Sequence, residues 1–235
     1  DKRFRSGDCD VTWGGGPLFH IGSLAPFIGS IGASGTYLTD TFFNPARAVA
    51  LMKREGVTAM WPWFPAILQP LLDEPDFLAA AEKVRSMLLI GPEALVDRVQ
   101  KLLPRAEIMQ ACGMTETSGI FALSDPDETA EQRATSNGKA VPGIELRIVN
   151  DDGADVPPGA VGEILVRGYC VMEGYYRDPV KSAEALDADG WLHTGDLYTR
   201  SADGRLIFNG RAKDMLKVGG ENVAAIEVEA YLCSH

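Results

Sequence analysis

Residues 83–113 read KVRSMLLIGPEALVDRVQKLLPRAEIMQACG, and this stretch decides the fold. An apolar run, KVRSMLLIG, is followed by the amphipathic pattern EALVDRVQKLLP and then by a second apolar run, AEIMQACG. Two strand-like runs joined by a helix-patterned connection form a βαβ unit, which requires parallel pairing. The same rhythm extends upstream. SIGASGTYLT (30–39) is strand-like, and NPARAVALMKREG (44–56) predicts a helix with Asn44 as N-cap, Pro45 in the first turn and Gly56 as the stop. VTAMWPWF (57–64) reads as a buried strand and PAILQPLLDE (65–74) as a short helix despite Pro70. The expected class is therefore α/β, a parallel sheet with flanking helices that places ligands at the carboxyl ends of its strands.

The pattern changes near Asn137. IELRIVNDDG (144–153), GEILVRG (162–168) and GRLIFNG (204–210) are short strands set off by Gly, Pro and Asp turns. They predict a small antiparallel, β-barrel-like subdomain, interrupted by one helix at DPVKSAEAL (178–186). The expected division is residues 1–136 as an α/β ligand-binding subdomain, 137–210 as the β-rich part, and 211–235 as a hinge and the start of a further domain. AIEVEAYL (225–232) opens a helical pattern just before the last residue, and the first residues carry no capping signal, so both ends look cut from something longer.

Composition narrows the function. The chain has 235 residues, of which 46% are hydrophobic, enough for a substantial core. No apolar run is long enough to span a bilayer, and DKRFRSGDCD is no signal peptide. A net charge of -11 argues against non-specific nucleic-acid binding. Cys9, Cys112, Cys170 and Cys233 are scattered without a CxxC pair, which disfavours zinc and disulfides and suits a reducing cytoplasm. Three histidines without ligand spacing offer no transition-metal site, no Ser-His-Asp arrangement is legible, and Gly14–Gly16 is no phosphate loop, since no GK[ST] follows.

Several short motifs could carry chemistry, though each has a plainer reading. In QACGMTETSG (110–119), Gly113 ends the strand AEIMQACG and lets backbone approach a ligand, Thr115 offers a hydroxyl, and Glu116 offers a carboxylate suited to phosphate only with Mg²⁺ between them. Taken alone, TETS reads first as a solvated turn or a helix cap. Gly91 ends LLIG before PEAL, an ordinary strand-to-helix turn unless it holds a base or sugar. Asp196 in GWLHTGDL could accept from both hydroxyls of a ribose, and Arg211 in GRAKD could reach the same sugar or its phosphate. Taken singly, an Asx turn and a surface charge are the readings that come first. His20 in PLFHIGSL is either a core histidine or a ring at a pocket mouth, and Trp61, Trp63 and Phe64 are either core or the wall of an apolar cavity.

The order of these motifs is more specific than any of them. PLFHIGSL, LLIGPEAL, QACGMTETSG, GWLHTGDLYTR and GRAKDMLKVGGENV together closely resemble the adenylate-forming superfamily, in its acyl-CoA synthetase branch, over essentially the whole chain. The resemblance implies ATP-dependent activation of a carboxylic acid to an acyl-adenylate, followed by thioester formation with coenzyme A, with Mg²⁺ as cofactor. It implies that Thr115 contacts phosphate and Glu116 holds Mg²⁺. Gly91, Pro92, Glu93, Ala111, Cys112, Gly113 and Met114 line the nucleotide site by the same reasoning. Asp196 would bind ribose, Arg211 the nucleotide, and His20 would stand by the acyl carboxylate. Lys213 matches the hinge, and Gly219 and Gly220 the loop that meets the pantetheine arm. His20, Trp61, Trp63, Phe64 and Gly113 are the expected acyl-pocket residues.

Three departures accompany the resemblance. Cys112 stands where the family usually has an aromatic residue stacking on adenine, so Cys112→Tyr is expected to tighten nucleotide binding. Gly91-Pro92-Glu93-Ala94 replaces a Gly-Ala-rich turn. The Ser/Thr/Gly-rich ATP loop expected before PLFH and the later adenylation lysine are not in the sequence, so the 235 residues alone are not expected to complete ligation. Other readings are an adenylation domain delivering to a carrier protein, a luciferase-type oxidase and a catalytically silent nucleotide- or acyl-binding module. An amino-acid substrate is disfavoured, because His20 stands where an aspartate would pair with the amine. Cys112 is not expected to be a nucleophile, having no His, Lys or Arg beside it.

Overall fold

The computed structural model describes residues 4, 6–218, 221–224 and 228. Its first half is built as β1 (Val11–Gly14), α1 (Ile21–Gly32), β2 (Thr36–Leu38), α2 (Pro45–Glu55), β3 (Ala59–Trp63) and α3 (Pro65–Leu72). These are followed by α4 (Phe77–Ala80), β4 (Ser86–Leu89), α5 (Glu93–Leu102) and β5 (Glu107–Met109). Strands β1 to β5 form one sheet in the order β2-β1-β3-β4-β5, parallel at every pairing. The parallel sheet with flanking helices is as the βαβ pattern requires.

Local chemistry sets most of these boundaries. Asn44 accepts from the Arg47 amide at 2.9 Å, Pro45 opens α2, and Gly56 closes it at φ 65°. Alternation along the strands then divides the core. Met60, Met87, Leu89 and Ile108 face a cluster containing Trp13, Met52, Leu68, Phe77 and Val99, whereas Trp61, Trp63, Leu88 and Met109 face a second cluster. Both faces of the sheet are thus buried, which is why β3 and β4 read as continuous apolar runs.

The second half contains β6 (Ala111–Met114), β7 (Gly119–Leu123), α6 (Ala130–Thr135), β8 (Lys139–Ala140), β9 (Ile144–Val149) and β10 (Gly162–Gly168). It continues with α7 (Pro179–Ala185), β11 (Leu192–Arg200), β12 (Leu206–Arg211), β13 (Met215–Val218) and β14 (Glu221–Ala224). β6, β7 and β8 form one antiparallel sheet, and β9 to β12 another in the order β12-β11-β10-β9. The latter is open among the described residues, so an antiparallel sheet is present but no closed barrel is needed. No helix among the described residues is long and apolar enough to cross a membrane.

Two local expectations are corrected and one strand is added. SIGASGTYLT is not one strand: Ser30–Gly32 end α1, and only Thr36–Leu38 are extended. VTWG, given no assignment from the sequence, is β1, lying between β2 and β3 with Thr12 and Trp13 buried. AEIMQACG is two strands in two sheets. β5 pairs with β4, and after Gln110 the chain becomes β6, antiparallel to β7. Gly113 therefore lies within an antiparallel pair rather than at the end of a parallel strand. It is glycine because a Cβ there would run into the Gly119 carbonyl of β7.

Candidate functional site

A cavity of about 1100 Å³ opens where the parallel sheet meets the two antiparallel sheets. Four segments converge on it. The turn after β4 contributes Gly91, Pro92 and Glu93, and β6 with the following turn contributes Ala111, Cys112, Gly113, Met114, Thr115 and Glu116. β11 and β12 contribute Asp196 and Arg211, while His20, Trp63 and Phe64 line the remaining wall. The expected residues are thus brought together, with few exceptions. Trp61 is not in the wall: it lies behind it, its ring 4.5 Å from Phe4 and 5.5 Å from Trp63. Lys213 sits in the exposed 3-10 turn Ala212–Asp214 directly after β12. Gly219 and Gly220 lie outside the described residues.

His20 is neither core nor mid-segment. It is the exposed N-cap of α1, and its Nδ1 accepts from the Gly22 amide at 3.0 Å. An accepting Nδ1 leaves Nε2 as the protonated nitrogen of a neutral ring, and hence a donor at the cavity. Trp63 ends β3 with φ 64°, a left-handed backbone that is uncommon for a bulky residue. Its indole donates to the Gly22 carbonyl, tying β3 to the first turn of α1.

Asp196 is the most telling side chain. Its cross-strand partner is Arg211, whose Nε lies 3.0 Å from Oδ1. The two charges are paired, yet Oδ1 is buried and receives no well-aligned hydrogen bond, because the guanidinium approaches off the line a donor needs. Burial is the main influence on this carboxyl and raises its pKa, with Arg211 and Lys213 opposing the rise. A buried acceptor without a donor costs roughly 1–3 kcal/mol. A hydroxyl-bearing ligand would supply the donor.

Across the cavity, Glu116 is half-buried and its Oε1 accepts from the Tyr175 phenol at 2.8 Å. Repulsion from Glu116 contributes to the raised Asp196 pKa, so two carboxylates share this space. The described residues contain no cluster of three or more metal-ligating side chains. A cation held at Glu116 would thus complete its shell with ligand oxygens, as Mg²⁺ commonly does with phosphates.

Cys112 is only 2% exposed. Burial pushes its thiol pKa up to about 12, against a lowering contact with Tyr198. That leaves it protonated and unreactive at neutral pH. Its Sγ lies 4.0 Å from the Asn137 carbonyl, and Tyr198, itself buried, stands edge-on to Phe208 at 5.3 Å.

Several wall residues were not among the expected ones. Gln110 is buried at the junction of β5 and β6: its Oε1 accepts from Gly91 at 3.3 Å, and its Nε2 donates to the carbonyls of Arg133 at 3.1 Å and Ala134 at 3.0 Å. It fastens the Gly91 turn to α6. Asn137 accepts from the Phe208 amide at 3.1 Å through Oδ1 and lines the same cavity, as do Tyr175, His193 and Tyr198. Gln110, His193 and Tyr198 fall within quoted motifs, but nothing in the sequence marked them as wall residues.

The chain is similar to known proteins in sequence and fold. The sequence profile of the AMP-binding enzyme family matches residues 1–176. The indoleacetate–CoA ligase of Aromatoleum aromaticum is 36% identical over 219 residues, covering 92% of this chain and 42% of the relative. The mitochondrial medium-chain acyl-CoA ligase ACSF2 of Macaca fascicularis is 32% identical over 226 residues, covering 93% and 36%. Among solved structures, the o-succinylbenzoate coenzyme A synthetase of Bacillus subtilis in complex with ATP and magnesium ion superposes with a TM-score of 0.82 at 30% identity, covering 96% of this chain and 46% of that one. The chain spans less than half the length of these relatives. On the profile match, the relatives and the shared fold, this chain belongs to the AMP-binding enzyme family.

Proposed function

We propose that these residues form the acid- and nucleotide-binding part of an AMP-forming acyl-CoA ligase. One observation carries this reading: Thr115, Glu116, Asp196, Arg211, Gly91 and His20, distant in sequence, border a single cavity. ATP would lie with its ribose hydroxyls at Asp196, Arg211 beside the sugar or its phosphate, and Thr115 and Glu116 at the phosphates. When bound, Mg²⁺ supplies charge neutralisation on the phosphates, and Glu116 is the carboxylate that would hold it.

The reaction follows from positioning. A carboxylate oxygen of the acid attacks the α-phosphorus, the bond to the bridging oxygen breaks, and pyrophosphate leaves with its electron pair. The thiol of coenzyme A then loses its proton to solvent and attacks the acyl carbon, the bond from that carbon to the phosphate oxygen breaks, and AMP leaves with the electron pair. What these side chains contribute is orientation and electrostatic support of the transferred charge. His20, protonated on Nε2, would orient the acid's carboxylate. Trp63, Phe64, Ile90 and Ile21 give that end of the cavity an apolar wall, which favours a hydrophobic fatty or aryl acid. Lys213, following β12, would serve as the hinge, within residues 211–235, about which the further domain turns. Cys9, Cys112 and Cys170 are free thiols, in keeping with a cytoplasmic setting.

The full-length protein should catalyse ATP–pyrophosphate exchange only when an apolar acid is present, and Glu116→Ala should lower the exchange rate at least tenfold. ATP binding without exchange, across short, medium, long-chain and aromatic acids, would instead identify a silent binding module. Hydrophilic diacids as the preferred substrates would contradict the apolar wall.

A further inference from the structure

The carboxylate of Asp196 reaches the cavity on a bulge. β10 and β11 pair Glu163 with Leu197 and Leu165 with His193, so between these pairs one residue of β10, Ile164, opposes three of β11, Thr194 to Asp196. The surplus residues lose ladder bonds, and their amides must find other acceptors. They find side chains. The Gly195 amide donates to Glu163 Oε1 at 2.8 Å, and the Asp196 amide to Thr194 Oγ1 at 3.1 Å. Thr194 Oγ1 in turn donates to the Ile164 carbonyl at 2.7 Å. Gly195 at φ 69° makes the turn that only glycine makes without strain. The second oxygen of Glu163, Oε2, lies 3.2 Å from His193 Nδ1, and the His193 ring lines the cavity.

From this geometry we infer that Glu163, which does not itself border the cavity, is the positioning residue that holds Asp196 in register for the sugar hydroxyls of the nucleotide. One carboxylate spans the bulge, with Oε1 fixing the residue before Asp196 and Oε2 engaging His193 at its base. Thr194 bonds back to β10 from within the bulge but cannot replace the Gly195 contact, because its hydroxyl is already engaged at Ile164 and Asp196. Without Glu163 the Gly195 amide has no acceptor, and the turn is free to rotate Asp196 away from Arg211.

The inference rests on the ribose role proposed for Asp196, and the test separates the two. ATP and 2′,3′-dideoxy-ATP are titrated against the full-length protein, its Glu163→Ala variant and its Glu163→Gln variant. The unaltered protein should prefer ATP at least tenfold. Glu163→Ala should cut that preference to about twofold or less by weakening ATP while leaving dideoxy-ATP affinity unchanged. Glu163→Gln, which retains an acceptor for Gly195, should keep most of the preference. A protein that binds ATP without preferring it over the dideoxy form refutes the ribose role of Asp196, and the inference with it. A preference retained in Glu163→Ala, or lost equally in Glu163→Gln, overturns the positioning role alone. Should Glu163→Ala not fold, the Gln variant together with Gly195→Ala, expected to lose the preference by straining the same turn, decides the matter.

Discussion

At the scale of single residues, the site sets stability against binding. Asp196 stands in surroundings that raise its pKa, mainly through burial and against the pull of Arg211. A carboxyl whose pKa is raised on folding adds stability that is complete below its unfolded value of about 3.9 and is lost as pH rises through the folded value. At pH 7 its charge is therefore a cost. Asp196→Asn should melt at a higher temperature than the unaltered protein at pH 7, while binding ATP at least tenfold more weakly. A lower melting temperature would mean that the Arg211 pair outweighs burial. Cys112 shows a different balance. The expectation that a tyrosine there tightens nucleotide binding does not fit its surroundings, because Tyr198 already occupies the adjoining space and both side chains are buried. Overpacking of this kind costs roughly 1–3 kcal/mol. Cys112→Tyr should lower stability by that order in denaturant titration, and Tyr198→Ala should recover part of it in the double variant. Additive losses would show that the two sites do not compete for space.

Elements bring these residues together through a few junctions. Gln110 stands where the chain leaves the parallel sheet for the antiparallel one, bonded to Gly91 and to the last turn of α6. Gln110→Leu would bury two carbonyls and one amide without these partners, at roughly 1–3 kcal/mol. It should weaken nucleotide binding along with stability, since the Gly91 turn borders the cavity; a pure stability loss at unchanged affinity would disconnect the turn from the site. In the sheet itself, Leu88 is fully buried, on the face opposite to Met87 and Leu89. Leu88→Ala should cost about 2–5 kcal/mol in the same titration. A cost below 1 kcal/mol would show that the second core closes around the loss.

For the molecule as a whole, three sheets share one cavity, and a ligand that touches all three stabilises their arrangement. Nucleotide at 100 times its dissociation constant should add about 2.7 kcal/mol to the unfolding free energy, seen as a rise in melting temperature. Little rise at saturating nucleotide, with affinity confirmed separately, would mean that binding does not span the sheets. Much of this arrangement was legible beforehand. The Asn44–Gly56 helix, the runs at 59–63 and 86–89 and the helix after Gly91 carry their signals within a dozen residues, because capping and periodicity are local effects. The site residues were legible for another reason: glycines, a hydroxyl and carboxylates stand in an order that matches a known family.

What the sequence determined by itself was most of the local elements, the α/β class and many of the side chains that border the cavity. What only the tertiary structure decided was where the chain changes sheets, which rings face the cavity and how the charged groups are held. β1 is too short to announce itself, and Gln110 marks a change of sheet only through bonds to residues 19 to 24 positions away. Trp61 and Trp63 are alike in sequence, yet only Trp63 borders the cavity. Glu163 looks like any strand glutamate until the bulge of β11 brings the Gly195 amide to it from 32 residues away. Such bonds satisfy buried backbone groups whose partners are chosen by strand pairing, and pairing is a property of the folded chain rather than of any segment within it.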